Sequence, residues 1–215
     1  MKKAIFLTSL ILLIFSCKKD NVTKTPSVND YFPMKIGNYW VYQEYQIDTN
    51  AIEKPLNYID SIFISNDTII NGKTYFVFVT KSKSFLFPPD NLSFYRDSSG
   101  NLVTQEGQIL LSTENFNDTL SRRVDTIIIN KVIDTLFTLT SKMEKIQGAV
   151  SLPAGNFNNI LDYRSTVIAF PNTAHTDTFY TDKYFARGVG KILHNFVDIG
   201  SGSKIELRLI SYKIN

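Results

Sequence analysis

Two long runs of strand-forming residues, Ser61–Ile70 and Lys73–Lys81, are separated only by the dipeptide Asn71-Gly72. Asn-Gly is typical of a two-residue type I′ turn, because both central residues of that turn need a positive φ. The sequence therefore predicts an antiparallel β-hairpin. Alternate side chains of a strand point to opposite faces, and both faces of the second run are apolar, so we expect this strand to be covered on both sides.

The composition favours strands in the rest of the chain as well. The 215 residues include 16 Phe and 11 Tyr, whereas there are only seven Ala and six Glu. Aromatic residues suit strands, and Ala and Glu are among the best helix formers. We expect about nine to eleven strands, at spacings typical of an antiparallel sandwich or barrel. The expected strands are Tyr39–Gln46, Ser61–Ile70, Lys73–Lys81, Leu92–Arg96, Leu102–Gln105, Val124–Ile129, Val132–Thr140, Ile160–Phe170, Thr178–Ala186, Lys191–Val197 and Lys204–Lys213.

Four other segments are less regular. Ile109–Ser112 is a short strand or a loop, and Ser141–Gln147 is one helical turn or the start of a strand. The two prolines in Phe87–Asp90 predict a break, and Val150–Phe157 predicts a turn before the next strand.

The start of the chain carries an export signal. Two lysines, Lys2 and Lys3, precede twelve uncharged residues, Ala4–Phe15, which are followed by Ser16 and Cys17. The tetrapeptide that ends at the cysteine, Ile-Phe-Ser-Cys, resembles a bacterial lipobox. A transmembrane helix is disfavoured because spanning a bilayer takes about 20 apolar residues. An ordinary secretory peptide is the other alternative, but this cysteine is the only one in the chain.

The lipobox predicts the domain organisation and the location of the protein. We expect residues 1–16 to be a lipoprotein signal peptide, residues 17–30 a flexible polar tether lipidated at Cys17, and residues 31–215 a single β domain. The protein would be lipid-anchored in the cell envelope of a Gram-negative bacterium, with the outer membrane as the expected site. Once Cys17 is lipidated, no thiol remains for a disulfide, a nucleophile or a metal site.

The charge of the chain makes a nucleic acid an improbable partner. The formal net charge is +3, and removal of Lys2 and Lys3 with the signal peptide leaves +1. Because no basic cluster is interleaved with aromatic residues, we expect no nucleic-acid binding.

Three segments together carry a family resemblance: Tyr31–Trp40, Pro153–Phe157 and Tyr184–Ile192. Their order resembles a group of uncharacterised secreted or lipid-anchored proteins of Gram-negative bacteria, distantly similar to DUF3108 (TapB-like) proteins and to Lol-type half-barrel carriers. The resemblance implies an all-β fold with a strongly curved antiparallel sheet, half-barrel or barrel-like, and at most short helices. It implies no catalytic residue.

The residues of these segments have structural interpretations. Trp40 is expected to be a core anchor rather than a ligand platform, because its large ring buries much area. Gly188 and Gly190 bracket a turn that a positive φ would allow. The ring of Pro153 fixes its own φ angle, and Gly155 can adopt a wide range of φ angles. Together the two residues predict a tight corner before Phe157. Neither of the two histidines is expected to be catalytic: His175 lies in a predicted loop, and His194 shares a strand face with apolar residues.

No sequence motif indicates catalysis, a metal or a cofactor. The chain has no zinc-binding histidine spacing, no calcium loop and no nucleophile elbow. A carboxylate pair such as Asp60 with Asp67 could serve glycoside hydrolysis, yet nothing in the sequence brings two acids together. We therefore expect a protein that is not an enzyme and has no cofactor.

A triplet of Asp, then Ser or Thr, then an aliphatic residue occurs five times, and it resembles an O-glycosylation acceptor of some Gram-negative bacteria. The favoured alternative is that the Asp ends a turn and the next residues begin a strand. The five acceptor residues are Ser61, Thr68, Thr119, Thr126 and Thr135.

Three hypotheses about function remain open at this point. The first is a binding module whose concave face accepts lipid or another apolar or amphipathic ligand, because aromatic residues are in excess. The second is a structural or assembly lipoprotein that binds another envelope protein, which predicts an exposed apolar patch or an unpaired sheet edge. A hydrolase is the least favoured of the three.

Overall fold

The computed structural model describes residues 26–84, 91–129, 131–170 and 176–215. In these ranges the chain forms fifteen strands and one short helix, α1 (Val28–Tyr31). The first eight strands are β1 (Tyr39–Ile47), β2 (Glu53–Ile70), β3 (Lys73–Lys81), β4 (Asn91–Ser98), β5 (Asn101–Thr104), β6 (Ile109–Ser112), β7 (Ser121–Ile129) and β8 (Val132–Ile146). The others are β9 (Val150–Leu152), β10 (Gly155–Phe157), β11 (Ile160–Ala169), β12 (Asp177–Thr181), β13 (Lys183–Ala186), β14 (Gly190–Val197) and β15 (Lys204–Lys213).

Twelve strands form one curved antiparallel sheet that nearly closes into a barrel, in the order β6-β5-β4-β3-β2-β1-β15-β14-β13-β11-β8-β7. The strand β12 also pairs with β11, beyond the stretch that pairs with β13. Strands β9 and β10 form a separate hairpin. The predicted fold class, an all-β and strongly curved antiparallel sheet with at most short helices, is confirmed.

The hairpin predicted around Asn71-Gly72 is confirmed. The φ angles of Asn71 and Gly72 are 50° and 72°, as a type I′ turn requires, and Ile70 pairs with Lys73 across the turn. The prediction that the second strand is covered on both sides also holds, because Val77 and Phe78, which point to opposite faces, are 6% and 2% exposed.

The structure differs from the sequence prediction in several strand bounds, and it has more strands than expected. β2 begins at Glu53 and not at Ser61. Ser141–Gln147 does not begin a helix, because β8 runs to Ile146 and pairs with β11 along its second half, which overrides local helix propensity.

Two further predicted segments are divided differently. Thr178–Ala186 is broken at Asp182, whose N–H donates to the side-chain oxygen of Asn195 in β14 and not to a backbone carbonyl. Val150–Phe157 is not a simple turn, since it forms the β9–β10 hairpin. The break predicted at Phe87–Asp90 lies outside the described residues.

The short helix α1 belongs to the folded domain. Val28 has no exposed surface, and the N–H of Gly188 donates to the Asp30 carbonyl at 2.6 Å. The predicted boundary between tether and domain, at Tyr31, therefore falls inside a packed helix. The signal peptide and Cys17 lie outside the described residues and stay predictions. None of the helices in the described ranges is long and apolar enough to cross a membrane.

Candidate functional site: a cavity inside the curved sheet

The concave side of the sheet borders a partly open cavity of about 200 Å³. One end is apolar, and the other is polar. The apolar wall includes Trp40, Phe78, Tyr95, Leu102, Phe185 and Leu207. The polar wall includes Asp60, Thr80, Ser93, Lys183, Lys191 and His194. The cavity is thus amphipathic, because charged groups and aromatic rings border the same space.

Aromatic rings stack on one another at the apolar end. The ring of Phe32 lies 6.2 Å from that of Trp40 and 5.2 Å from that of Phe78, measured between centroids. The indole N–H of Trp40 donates to the Val189 carbonyl at 2.7 Å, and only 2% of Trp40 is exposed. Trp40 therefore occupies a core position and also borders the cavity.

Two lysines and a histidine form a cationic wall, which we define as Lys183, Lys191 and His194. Lys183 pairs directly with His194 across β13 and β14, and Lys191 lies opposite Phe185 in the same ladder. Residues paired directly across strands point to the same face, so this register turns all three side chains toward the cavity.

The two ammonium groups have ring faces, and no acid, as close neighbours. The Nζ of Lys183 lies 5.3 Å from the centre of the Tyr163 ring, and the Nζ of Lys191 lies 5.6 Å from that of Tyr42. Among the described residues, no carboxylate oxygen lies within 4.0 Å of either nitrogen.

Burial lowers the pKa of all three groups in the cationic wall. It lowers the pKa of Lys183, and it lowers that of Lys191 to about 8, where the charge of Lys183 adds to the effect and that of Asp60 opposes it. The pKa of His194 falls well below 6.5, first because of burial and then because of the two lysines. His194 is therefore neutral at pH 7, and its ring lies 4.0 Å from that of Phe196.

Two carboxyl groups, Glu44 and Asp60, face the cationic wall from β1 and β2. They are 0% and 1% exposed, and they interact with each other, with the Ser84 hydroxyl on the Glu44 side and with the Ser82 hydroxyl on the Asp60 side. Burial raises the pKa of both groups, and the neighbouring Asp60 charge raises that of Glu44 further. The acid that meets Asp60 is thus Glu44, whereas Asp67, the partner considered from the sequence, is exposed.

A second carboxyl pair, Asp162 and Asp182, lies on the opposite face of the sheet. Asp162 pairs with Tyr184, whose neighbours Lys183 and Phe185 point into the cavity, so Asp162 points away from it. Burial and then the charge of Asp182 raise the pKa of Asp162 to about 8.

The residues with predicted structural roles lie at turns and in the core. Gly188 and Gly190 have φ angles of 76° and 108° on either side of the β13–β14 turn. Pro153 lies in the β9–β10 turn, Gly155 has a φ of 137°, and Phe157 is 6% exposed. His175 and Cys17 lie outside the described residues.

The five predicted glycosylation acceptors occupy different environments. Ser61 and Thr68 are half-buried in β2, Thr135 is half-buried in β8, and Thr119 and Thr126 are exposed. Four of the five preceding aspartates lie within strands and do not end turns, so the turn explanation is wrong for those four. Glycosylation itself stays a prediction.

Sequence reasoning missed the charged groups around the cavity. Glu44 follows Trp40 and Tyr42 at a spacing of two, which places it on the apolar face of β1, and Lys183 stands in the same relation to Phe185. A charged residue at a strand position where the alternation predicts an apolar one is the sequence feature that indicates these groups. Among the described residues, no group of three or more His, Cys, Asp and Glu could hold a metal ion.

Comparison with known proteins finds two solved structures with a partial likeness to this chain, and no family. No protein-family model and no curated protein matches the chain. A candidate lipoprotein from Parabacteroides distasonis ATCC 8503 is 14% identical, with a TM-score of 0.46 over 86% of this chain and 98% of that one. A candidate exported protein with a YmcC-like fold from Bacteroides fragilis NCTC 9343 is 13% identical, with a TM-score of 0.47 over 86% of this chain and 99% of that one.

These two structures are exported or lipid-anchored proteins by name, as is the group that the sequence resembles. They do not confirm a relation to DUF3108 proteins or to Lol-type carriers. Because both TM-scores lie below 0.5, neither likeness carries an argument about function.

Proposed function

We propose that this protein is a lipid-anchored cell-envelope protein that binds one small apolar or amphipathic ligand inside its curved sheet and catalyses no reaction. One observation carries the proposal: the cavity of about 200 Å³ with an aromatic wall. Apolar cavities of about 150 Å³ bind benzene, and pockets for drug-sized ligands start near 300 Å³. The ligand is therefore the size of one ring or one short acyl chain, and a diacyl lipid is too large to be enclosed.

The cost of such a cavity supports a functional role. Protein interiors are close-packed, and empty cavities destabilise a fold by about 24 cal/mol per Å³. At that rate a fully closed, empty cavity of about 200 Å³ would cost about 5 kcal/mol, and the cost of this partly open one is smaller. Because Phe32, Trp40 and Phe78 already fill the neighbouring core with large rings, we infer that the space is kept open for a ligand.

The envelope location rests on the lipobox at Cys17. Because Val28 is packed in the domain, about ten residues separate it from the predicted anchor. At about 3.3 Å per residue, this segment would hold the domain within about 33 Å of the bilayer. Radioactive palmitate should label the native protein and not a Cys17→Ser variant. Equal labelling of the two would contradict the anchor.

A ring-sized ligand can be detected through Trp40, which is the only tryptophan of the chain and borders the cavity. The mature lipidated protein in phosphatidylcholine vesicles would be titrated with 4-phenylbutanol, and we expect a saturable change in tryptophan fluorescence. Thr80→Phe, which fills the cavity from β3, should abolish the change. The matched control Thr74→Phe, at an exposed position of β3, should leave it intact. Absence of any saturable signal in the native protein would refute the proposal.

An assembly role is the second candidate, and one observation favours it. The strand β7 is an edge of the sheet, and its hairpin with β8 exposes 71% of Ile128, 65% of Val132 and 70% of Ile133. Exposed apolar residues at a sheet edge are typical of protein contacts. Crosslinking in cells from position 128 should then capture one dominant envelope protein. A random set of neighbours would argue against this role.

A further inference from the structure

We infer that the ligand of this cavity carries an anionic headgroup, a carboxylate or a phosphate, which binds between Lys183 and Lys191 while its apolar part lies against Trp40. This inference rests on the proposed ligand-binding function and adds the chemical class of the ligand.

The geometry of the cationic wall provides the first reason. Lys183 and Lys191 come from adjacent strands and border the same cavity of about 200 Å³, so their ammonium groups approach one small volume. Both lysines are half-buried, and a lysine that loses part of its hydration usually has an acidic partner. Here the close neighbours are the ring faces of Tyr163 and Tyr42, and a ring face is a weaker partner for a cation than a carboxylate.

The charge balance of the cavity provides the second reason. Among the described residues that line the cavity, Asp60 is the one acid, and Glu44 does not line it. Lys183 and Lys191 bring two positive charges, and His194 is neutral. The charged side chains that line the cavity therefore carry a formal excess of one positive charge, which one monovalent anion would balance.

The carboxyl groups of the protein itself do not pair with the ammonium groups of the two lysines. The charge of Asp60 favours the protonated form of Lys191, but no oxygen of Asp60 lies within 4.0 Å of its nitrogen. Burial alone shifts the pKa of Lys183, without compensation by an acid. A ligand anion is the missing partner of Lys183 in particular.

A series of three ligands tests the inference on the native protein. The compounds 4-phenylbutyrate, 4-phenylbutanol and 4-phenylbutylamine share a ring and a chain, and they differ in headgroup charge. By fluorescence of Trp40 at pH 7, we expect the acid to bind at least about tenfold more tightly than the alcohol, because a hydrogen bond to a charged group is worth that factor or more. A fourth compound, 4-phenylbutyl phosphate, tells a phosphate-binding site from a carboxylate-binding one, and either anion binding more tightly than the alcohol supports the inference.

Two variants assign the effect to the cationic wall. Lys183→Met and Lys191→Met should each weaken binding of the acid about tenfold and change binding of the alcohol less than about twofold. The matched control Lys54→Met, at an exposed position of β2, should change neither affinity. Thermal unfolding provides a second readout: Lys183→Met should not lower the melting temperature, because it removes a half-buried charge that has no acidic partner.

The outcomes separate the two proposals. If no member of the series binds, the proposed function fails. If the alcohol binds as tightly as the acid, the cavity binds ligands and the anionic headgroup is wrong. If the amine binds most tightly, Glu44 and Asp60 select the headgroup and the inference is overturned. These comparisons use the native protein, so they hold even if a variant fails to fold.

Discussion

The buried carboxyl group of Asp162 should make the stability of this protein depend on pH. Asp162 has no exposed surface, its Oδ1 accepts the backbone N–H of Lys183 at 3.2 Å, and its carboxyl group also interacts with that of Asp182. Burial and the neighbouring Asp182 raise its pKa to about 8. In the unfolded chain the same group has a pKa of about 3.9.

The sign of the effect follows from these two pKa values. A pKa that is raised in the folded state stabilises the fold fully below pH 3.9, and this contribution is lost as the pH rises through about 8. Between pH 5 and pH 8 the loss is about 1.4 kcal/mol per pH unit, or at most about 4 kcal/mol. Relaxation around the charge and entry of water would reduce this value.

The variant Asp162→Asn tests this reasoning because an amide does not titrate. We expect the variant to gain stability relative to the native protein between pH 5 and pH 9, by about 2 to 4 kcal/mol. Urea unfolding followed by far-ultraviolet circular dichroism at pH 5, 7 and 9 measures the difference. Asp67→Asn, at an exposed position of β2, is the control and should show no such trend. An equal stability difference at pH 5 and pH 9 would refute a raised pKa at Asp162.

Three other predictions concern the cavity and its aromatic wall. Gly190→Ala should cost about 1 to 3 kcal/mol by urea unfolding, because its φ is 108° and the added Cβ would lie 3.1 Å from the Trp40 Nε1; an unchanged stability would contradict this. Binding of 4-phenylbutyrate should weaken above about pH 8, where Lys191 loses its proton, while binding of 4-phenylbutanol stays constant in the same fluorescence titration. Phe78→Ala should lower the free energy of unfolding by about 3 to 5 kcal/mol, whereas Ile69→Ala, 73% exposed, should change it by less than about 0.5 kcal/mol.

The features that the sequence predicted correctly are local ones. The Asn71-Gly72 turn is determined by the φ preferences of two residues, and the faces of β3 by simple alternation. The extension of β8 to Ile146 depends on its partner β11, which follows much later in the chain. Propensity is a weak guide there, because the hydrogen bonds of a neighbouring strand decide the conformation.

The candidate site was not predictable, because it depends on register between distant strands. The sequence shows that Glu44 lies on the apolar face of β1, but only the pairing of Tyr42 with Asp60 brings the two acids together. In the same way, the pairing of β13 with β14 turns Lys183 and Lys191 toward one cavity. The curvature that forms this cavity is a property of the whole sheet.

A crystal structure of the protein with 4-phenylbutyrate would test the central claim most directly, since the claim concerns a filled space. We predict electron density for one ligand inside the sheet, with its ring beside Trp40 and its carboxylate about 2.8 Å from the Nζ atoms of Lys183 and Lys191. A cavity closed by rearranged side chains, or a ligand bound only on the outer surface, would contradict the account.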